Sequence, residues 1–352
     1  MSYFEQMKEK VKSLRAKSVV RILAIESSCD ETSVAVVENG RKVLSNIVSS
    51  QIDIHTKFGG VVPEVASRNH ILNISSVLDE ALKQANCVLD DIDVIAVTQG
   101  AGLVGALLVG VTSAKALSFA TGKPLILVNH IKGHIAANYI AHPTLKPPFI
   151  CLITSGGHTA IVKVTDFNKF TLLGQTVDDA IGEAFDKVAR VVGLGYPGGP
   201  KIDKLTKGVI GTIKFVNHDV FENSFNVSYS GLKTAVVNYV HKYEQLGQKL
   251  DIPNICASFQ KEAVDMISHK AIRACKENNL HTLVLAGGVA ANSCLRETLL
   301  RLGERENVNV KFPPIELCGD NAAMIGCLAY FNLQTDDPAD LSVSAKPSIP
   351  IE

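Results

Sequence analysis

Two histidines, His130 and His134, stand four residues apart in the segment ILVNHIKGHIAANY. On a helix this spacing places both imidazole rings on one face, one turn apart. Two ring nitrogens so arranged can bind a single metal ion. The alternative is a helix with two unrelated histidines, because the segment itself contains no third ligand. The pair therefore raises a metal-site hypothesis that another part of the chain has to complete.

A candidate third ligand is Asp320, in the polar turn CGDN between a predicted strand and a predicted helix. Its position just before a helix also predicts an ordinary N-cap, so both roles stay open at this point. A metalloprotease with this kind of His pair needs a glutamate directly after the first histidine as its general base. Ile131 occupies that position, which argues against a protease.

The elements that would position such a site begin with a buried strand, Ile22–Ile25, and a second strand, Ser33–Val37. Asn39-Gly40 then predicts a hairpin turn into a third strand. The turn between the first two strands contains Asp30 and Glu31. An acidic loop beside strand ends can hold a metal ion, a phosphate or a water molecule, which favours a functional site. An ordinary polar turn is the alternative.

The plan of strand, polar turn and strand recurs at Phe149–Asp166, which predicts an internal duplication with two lobes facing a shared cleft. The tip of the second hairpin, Ser155-Gly156-Gly157, leaves backbone N–H groups available for an anion. A plain flexible turn is the alternative.

A further strand, Thr282–Ala286, runs into Gly287-Gly288 and a helix that Asn292 precedes. A strand, a glycine turn and a helix start can bind a nucleotide at the helix N-terminus. Upstream, a helix with an apolar face from Ile181 to Val192 is followed by Gly193–Pro200, which is predicted to be a loop because of its glycines and prolines. Asp203 follows on the next predicted helix.

Bulk properties limit the possible classes. The 352 residues favour two domains, and the formal net charge of zero gives no sign of a strongly basic nucleic-acid binder. Eight cysteines without a C-x-x-C pair predict reduced thiols in a cytoplasmic protein. No unbroken apolar run has the length of a membrane span, so no membrane association is expected. Residues 1–20 are predicted to be a polar extension with one amphipathic helix, and a role for it in binding RNA or a partner is open.

Several motifs, taken together, closely resemble the bacterial TsaD family, relatives of the catalytic subunit of the archaeal and eukaryotic KEOPS complex. The resemblance extends from about Arg21 to Phe331 and includes the motifs IESSCDETSVAV, GGVVPEVASRNHI, NHIKGHIAA, SGGHTAIV, DDAIGEAFDKVAR, GYPGGP, SYSGLKTA, LAGGVAAN and CGDNAAMI.

The resemblance implies an α/β fold with two RNase-H-like lobes of the actin, sugar-kinase and Hsp70 (ASKHA) type around a central nucleotide cleft. The expected division is an extension at 1–20, a first lobe at 21–128 plus 320–352, and a second lobe at 129–319. Family members transfer a threonylcarbamoyl group from threonylcarbamoyl-AMP to N6 of the adenine 3′ to the anticodon in ANN-decoding tRNAs. The product is t6A, and AMP leaves.

The resemblance also implies roles for individual residues. The metal ligands are expected at His130, His134 and Asp320, with Fe²⁺ or Zn²⁺ (iron or zinc) as the ion. Asp30 and Glu31 are the candidates for proton transfer. The substrate loop and the adenylate-binding positions are expected at Ile153, Thr154, Ser155, Gly156, Gly157, Asp186, Gly199, Asp203, Gly287, Gly288 and Asn292.

Expected partners are tRNA and, for a bacterial protein, a paralogous TsaB-type subunit and a TsaE-type ATPase, while a homodimer is also possible. The alternative function is a non-catalytic adenine-nucleotide-binding subunit or an ATPase of the same superfamily. Neither has an evident use for a His–His–Asp set, which favours the transferase.

Overall fold

The computed structural model divides into two compact units. Unit 1 comprises Met1–Lys146 and Gly319–Ile351, and unit 2 comprises Pro147–Cys318. The structure describes residues 2–216 and 221–351, so the two chain ends of the expected division, 1 and 352, and residues 217–220 of its second lobe lie outside the described residues. The observed boundary follows residue 146 rather than 128, because the helix that carries the His pair packs within unit 1.

Regular elements alternate along the chain. The strands are β1 (Arg21–Glu26), β2 (Glu31–Glu38), β3 (Lys42–Ser50), β4 (Val94–Gly100), β5 (Leu125–Asn129), β6 (Phe149–Thr154), β7 (Thr159–Asp166), β8 (Lys169–Gln175), β9 (Thr282–Ala286) and β10 (Asn309–Lys311). The helices are α1 (Tyr3–Arg15), α2 (Ile52–Thr56), α3 (Pro63–Gln84), α4 (Val104–Thr121), α5 (His130–Ala141), α6 (Ile181–Val191), α7 (Gly198–Leu205), α8 (Ser230–Gln245), α9 (Ile252–Glu277), α10 (Ser293–Glu306) and α11 (Ala322–Thr335).

Each unit contains one five-stranded sheet, and the two sheets have the same plan. Their strand orders are β3-β2-β1-β4-β5 in unit 1 and β8-β7-β6-β9-β10 in unit 2. The first strand of each unit pairs antiparallel with the hairpin that follows it and parallel with a later strand. This repetition confirms the duplication that the two hairpin sequences predicted, and with it the α/β fold.

Sequence signals account for the local geometry. Residues Ile22–Ile25 of β1 have no exposed surface, as expected of a central strand covered on both faces. Asn39 and Gly40 adopt positive φ values of 51° and 70°, which the tight turn between β2 and β3 requires. The predicted loop Gly193–Pro200 is partly wrong, since α7 already begins at Gly198. Proline is tolerated in a first helical turn because its missing N–H has no intrahelical partner there.

Helix α4 has the length and the mean hydropathy, 1.5, of a candidate membrane span. It contains Lys115 and is therefore not an unbroken apolar run. Its side chains Leu107 and Val111 are buried, and the helix packs against β4 and α3. A core helix of a globular domain satisfies the same two criteria. All eight cysteines lie among the described residues and are free thiols, in agreement with the expected reduced state.

Candidate functional site

The carboxyl ends of three parallel strands of unit 1 bring polar groups together. Glu26 ends β1, Thr98 lies near the end of β4, and His130 directly follows β5. Because β1, β4 and β5 are neighbours and parallel, their carboxyl ends lie at one edge of the sheet. Asp320 reaches the same place from the segment that precedes α11.

Helix α5 is anchored at both ends. The Asn129 side chain accepts hydrogen bonds from the backbone N–H groups of Ile131 and Lys132, at 2.9 and 3.2 Å, so the helix begins at His130. At the other end the Arg41 guanidinium donates to the Tyr139 carbonyl at 2.7 Å. The rings of His130 and His134 therefore lie one turn apart, with centroids separated by 4.6 Å.

The two histidines and Asp320 form a compact set of ligand atoms. Oδ1 of Asp320 lies 3.4 Å from Nε2 of His130 and 3.1 Å from Nε2 of His134. All three ligand atoms lie within 4.8 Å of one another, and among the described residues no other group of histidine, cysteine or carboxylate side chains meets this criterion. His134 is 1% exposed, yet neither of its ring nitrogens makes a hydrogen bond. A buried imidazole without a hydrogen-bonding partner fits a metal ligand.

The N-cap prediction for Asp320 is wrong. Asn321 caps α11, because its side chain accepts a hydrogen bond from the Met324 N–H at 3.1 Å. A carboxylate one residue earlier is therefore left to face the two imidazoles. The N-cap rule identified the right turn but the wrong residue.

Charges within the group of His130, His134 and Asp320 shift the pKa values of its members. Burial alone would raise the pKa of Asp320, but the neighbouring His130 and His134 hold it below its ordinary value. Burial lowers the pKa of His130, yet the charges of Asp320 and Glu26 outweigh this effect and keep the pKa well above 6.5. His130 keeps its proton because the carboxylates of Asp320 and Glu26 concentrate negative charge around it. A divalent cation bound at this place would neutralise the same charge.

The acidic turn lies beside this set. Burial, followed by the charges of Asp320 and Asp30, raises the pKa of Glu31 to about 9, so Glu31 is close enough to Asp320 for a direct electrostatic effect. His70, which sequence reasoning did not select, holds the turn at both ends. Its Nε2–H donates to the Cys29 carbonyl at 3.0 Å and its Nδ1 faces the Thr32 hydroxyl at 2.7 Å.

In unit 2 the predicted substrate loop follows β6. Ile153 and Thr154 are buried strand residues, so only the backbone beyond them is accessible to a ligand. Ser155 closes the turn, since its N–H donates to the His158 carbonyl and its hydroxyl accepts from the His158 N–H, at 2.8 and 3.0 Å. A side chain added at Gly156 or Gly157 would meet no atom within 4 Å, so both glycines border open space.

Most of the predicted adenylate positions line one cavity of about 630 Å³ in unit 2. Its walls include Gly156, Asp186, Gly199, Asp203, Gly288 and Asn292, together with Phe185, Tyr196, Lys204 and Ile315. Gly287 does not line the cavity. It adopts a φ of 91°, and a Cβ there would collide with the Thr154 carbonyl. Its role is therefore a close approach between β9 and β6.

Three of these polar residues also stabilise the cavity wall. Asp186 accepts a hydrogen bond from the Gly198 N–H at 2.7 Å, which fixes the start of α7. Asp203 accepts from the Ser293 hydroxyl at 2.7 Å, and the Asn292 side chain caps α10 through the Leu295 N–H at 2.9 Å. Asn292 also donates to Gln260, a partner that sequence reasoning missed because it lies within the long amphipathic helix α9.

A family model and the sequences of individual proteins both match this chain, and they have the same description. A family model described as tRNA N6-adenosine threonylcarbamoyltransferase (TsaD) matches residues 42–327. The chain is 58% identical over 329 residues to the tRNA N6-adenosine threonylcarbamoyltransferase of Clostridium perfringens (strain 13 / Type A), covering 93% of this chain and 97% of that protein. It is 57% identical over 334 residues to that of Clostridium botulinum (strain Kyoto / Type A2), covering 95% and 98%.

Solved structures resemble the chain in fold. Full-length HypF in the phosphate- and nucleotide-bound form matches 89% of this chain and 46% of its own, with a TM-score of 0.61 and 15% identity. Component A of the (R)-2-hydroxyglutaryl-CoA dehydratase of Acidaminococcus fermentans matches 89% and 99%, with a TM-score of 0.52 and 14% identity. At such low identity these likenesses support the two-sheet α/β fold alone.

Proposed function

The chain belongs to the TsaD family of tRNA N6-adenosine threonylcarbamoyltransferases and forms t6A on tRNA, and we propose that it takes the threonylcarbamoyl group from threonylcarbamoyl-AMP and releases AMP. The observation that carries this proposal is the set of His130, His134 and Asp320, whose ligand atoms converge beside an acidic turn. A metal-assisted acyl transfer uses both features, whereas simple nucleotide binding uses neither.

The donor set fits one divalent cation, Fe²⁺ or Zn²⁺. Two imidazoles and one carboxylate suit either ion and leave coordination positions for a substrate. The buried, unbonded nitrogens of His134 support this assignment. When bound, the ion would act as a Lewis acid and a template for the oxygen atoms of the threonylcarbamoyl group.

The protein's own groups have three tasks, because the mixed anhydride is already activated and no enzyme nucleophile is required. They position the adenine amine, stabilise charge on the carbonyl oxygen and accept a proton. In the transfer the amine nitrogen forms a bond to the carbamoyl carbon, the bond from that carbon to the phosphate oxygen breaks, and AMP leaves. Asp30 or Glu31 accepts the amine proton, directly or through water.

We assign the adenylate moiety to the cavity in unit 2. Asp186, Asp203 and Asn292 would bind the ribose and adenine, and Gly199 and Gly288 would shape the backbone around them, while Gly287 keeps β9 close to β6. The N–H groups of Gly156 and Gly157 would bind a carboxylate or a developing oxyanion, whereas the Ser155 N–H already donates to the His158 carbonyl. The cavity volume of about 630 Å³ is in the range typical of small-molecule sites.

We further propose that the chain acts in the cytoplasm on tRNA, together with a TsaB-type paralogue and a TsaE-type ATPase. The bacterial origin of its curated relatives supports these partners. Exposed apolar side chains on α3 and α4 support a protein partner, because Ile71, Leu72 and Val104 are 63%, 75% and 50% exposed. A homodimer formed by the same surface is the alternative.

The test is to supply the purified chain with threonylcarbamoyl-AMP and tRNA, with and without the partner subunits, and to measure AMP release and t6A. The wild-type protein should form t6A in a metal-dependent manner, whereas His134→Ala should lose both metal binding and transfer while keeping its circular-dichroism spectrum. Full transfer by a metal-free His130/His134 double alanine variant would overturn the scheme. Nucleotide binding without transfer under every condition would favour the non-catalytic or ATPase alternative.

A further inference from the structure

Glu26 is completely buried and is not one of the three metal-ligating side chains. Its carboxylate receives hydrogen bonds from three different parts of unit 1. Oε1 accepts from the Ser28 N–H, and Oε2 accepts from the Thr98 hydroxyl at 2.6 Å. Oε2 also lies 3.0 Å from Nδ1 of His130. A buried carboxylate with this many partners is held in one orientation.

These contacts determine which nitrogen of His130 carries its proton. An ionised carboxylate can only accept hydrogen bonds, and the Ser28 N–H can only donate. Glu26 is therefore satisfied as an ionised acceptor, so Nδ1 of His130 must be the donor in their contact. In neutral His130 the lone pair then lies on Nε2, the atom that faces Asp320 at 3.4 Å. The Ser28 hydroxyl, 3.1 Å from Nδ1, can share the same proton.

We propose that Glu26 is a positioning residue that fixes the tautomer and ring orientation of His130 for metal binding through Nε2. This inference rests on the metal site of the proposed function and adds a residue to it. A carboxylate that accepts the second N–H of a metal-bound imidazole makes the ligand more basic and fixes its direction. His134 has no such partner, because neither of its ring nitrogens makes a hydrogen bond, so the carboxylate support is specific to His130.

The position of Glu26 also explains how the fold delivers this support. Glu26, Thr98 and His130 come from the ends of β1, β4 and β5, which are adjacent parallel strands. Thr98 lies between the other two strands' residues and donates to the same oxygen that His130 approaches. The carboxyl end of the sheet thus sets the direction of the imidazole at His130, the first residue of α5.

The test compares Glu26→Gln, Glu26→Asp and a control variant, Glu38→Gln, by measuring the Kd for Zn²⁺ and for Co²⁺ against a competing chelator. Glutamine has one acceptor oxygen for three donors, so one donor must face its NH₂ group. Glu26→Gln should bind metal about 10- to 100-fold more weakly. Glu26→Asp, which keeps the charge, should recover part of that loss. Glu38 accepts hydrogen bonds from Arg21 and Lys42 at the other end of the β1–β2 pair. Its replacement should leave the Kd unchanged.

A second measurement needs no variant. In zinc-loaded wild-type protein labelled with ¹⁵N-histidine, NMR should show His130 coordinated through Nε2 with Nδ1 protonated. If the role of Glu26 were purely structural, Glu26→Gln would lower the unfolding free energy of the metal-free protein without changing the Kd or the tautomer of His130. Coordination through Nδ1, or a folded Glu26→Gln variant with the wild-type Kd, would overturn the inference. Failure of the wild-type protein to bind either metal would instead overturn the proposed metal site itself.

Discussion

Oδ1 of Asp320 lies 3.1 Å from Nε2 of His134, while the next residue, Asn321, caps helix α11. Two adjacent residues therefore have different tasks. One stabilises the helix, and the other faces the histidines of α5. This division explains how a carboxylate can remain available for a metal at a position where helix starts normally use one.

These different tasks predict that a substitution at Asp320 affects metal affinity and that a substitution at Asn321 affects folding stability. Asp320→Asn should lower metal affinity by at least about tenfold, because it removes a charged ligand. Asn321→Ala should cost about 1 kcal/mol of unfolding free energy through the lost cap and should leave metal affinity nearly intact. Metal titration and urea unfolding of both variants check this. Equal loss of metal affinity in both would show that the turn acts as a whole.

The close packing of α5 against α11 predicts that a larger side chain at Gly133 weakens metal binding. A Cβ at Gly133 would lie 2.9 Å from Cδ1 of Ile325 and 3.4 Å from Cγ of Met324. Gly133→Val should therefore push the helices apart, reduce metal affinity and cost about 1–3 kcal/mol through overpacking. Gly231→Val on α8 is the control, since a Cβ there meets no atom within 4 Å. Unchanged metal affinity in Gly133→Val would mean that the ligand set tolerates movement of α5.

The adjacent glycines of the β9 turn give a third prediction. Gly287→Ala should destabilise unit 2 by at least about 1 kcal/mol, because φ is positive and the Thr154 carbonyl blocks the new methyl group. Gly288→Ala should fold normally, since its Cβ would project into open space, but should weaken AMP binding by roughly tenfold. Thermal unfolding and calorimetric titration with AMP separate the two. AMP binding by Gly288→Ala at wild-type strength would place the nucleotide elsewhere.

Sequence patterns predicted the parts of this structure that depend on local chemistry. Apolar strands, the Asn39-Gly40 turn and the His130/His134 spacing each follow from the preferences of a few neighbouring residues. The repeated hairpin was sufficient to predict two sheets, because each sheet is organised around such a hairpin. The polar turn before α11 suggested Asp320 as a third ligand, and the family resemblance then paired it with the two histidines.

The supporting groups were not predictable in this way. Glu26 and His70 act through partners that are distant in the chain, Thr98 and His130 for one, Thr32 and Cys29 for the other. Such pairings depend on strand order. Periodicity does not specify strand order, so a buried polar residue within an apolar stretch was the available signal.

His70 gives a prediction about pH. Burial lowers its pKa below 6.5, against the raising effect of the Cys29 carbonyl. Because the folded-state pKa is depressed, the stability that His70 contributes is present above the unfolded pKa of about 6.5 and is lost as pH falls toward the folded value. Metal-free wild-type protein should thus lose unfolding free energy relative to His70→Gln when pH falls from about 7.5 to 5.5.

Urea unfolding at several pH values measures this difference. His241→Gln, at an exposed position of α8, controls for replacement of a histidine as such. A constant difference between wild-type and His70→Gln across this pH range would mean that the imidazole is not held neutral.

The N-terminal extension gives a prediction about stability. Met7 and Val11 are each 1% exposed, so α1 is packed against unit 1 more firmly than a solvated helix would be. Arg15 donates to the carbonyls of Leu333 and Asp336, both at 2.7 Å, which ties α1 to the end of α11. Met7→Ala should therefore cost about 2–5 kcal/mol of unfolding free energy. Lys12→Ala should cost no more than about 1 kcal/mol, because Lys12 pairs with Glu9 at the surface.

The same packing bears on whether α1 binds RNA. Basic groups on α1 and just after it are engaged within unit 1, since Lys8 pairs with Asp337 at 2.6 Å and Lys17 pairs with Asp93 at 2.7 Å. Replacing Lys8 and Lys17 by alanine should therefore leave tRNA affinity and its salt dependence unchanged, because a lysine that contacted phosphate would add to the salt slope. Filter binding at several salt concentrations measures both quantities. A shallower slope in the double variant would show that α1 contacts tRNA as well as stabilising the fold.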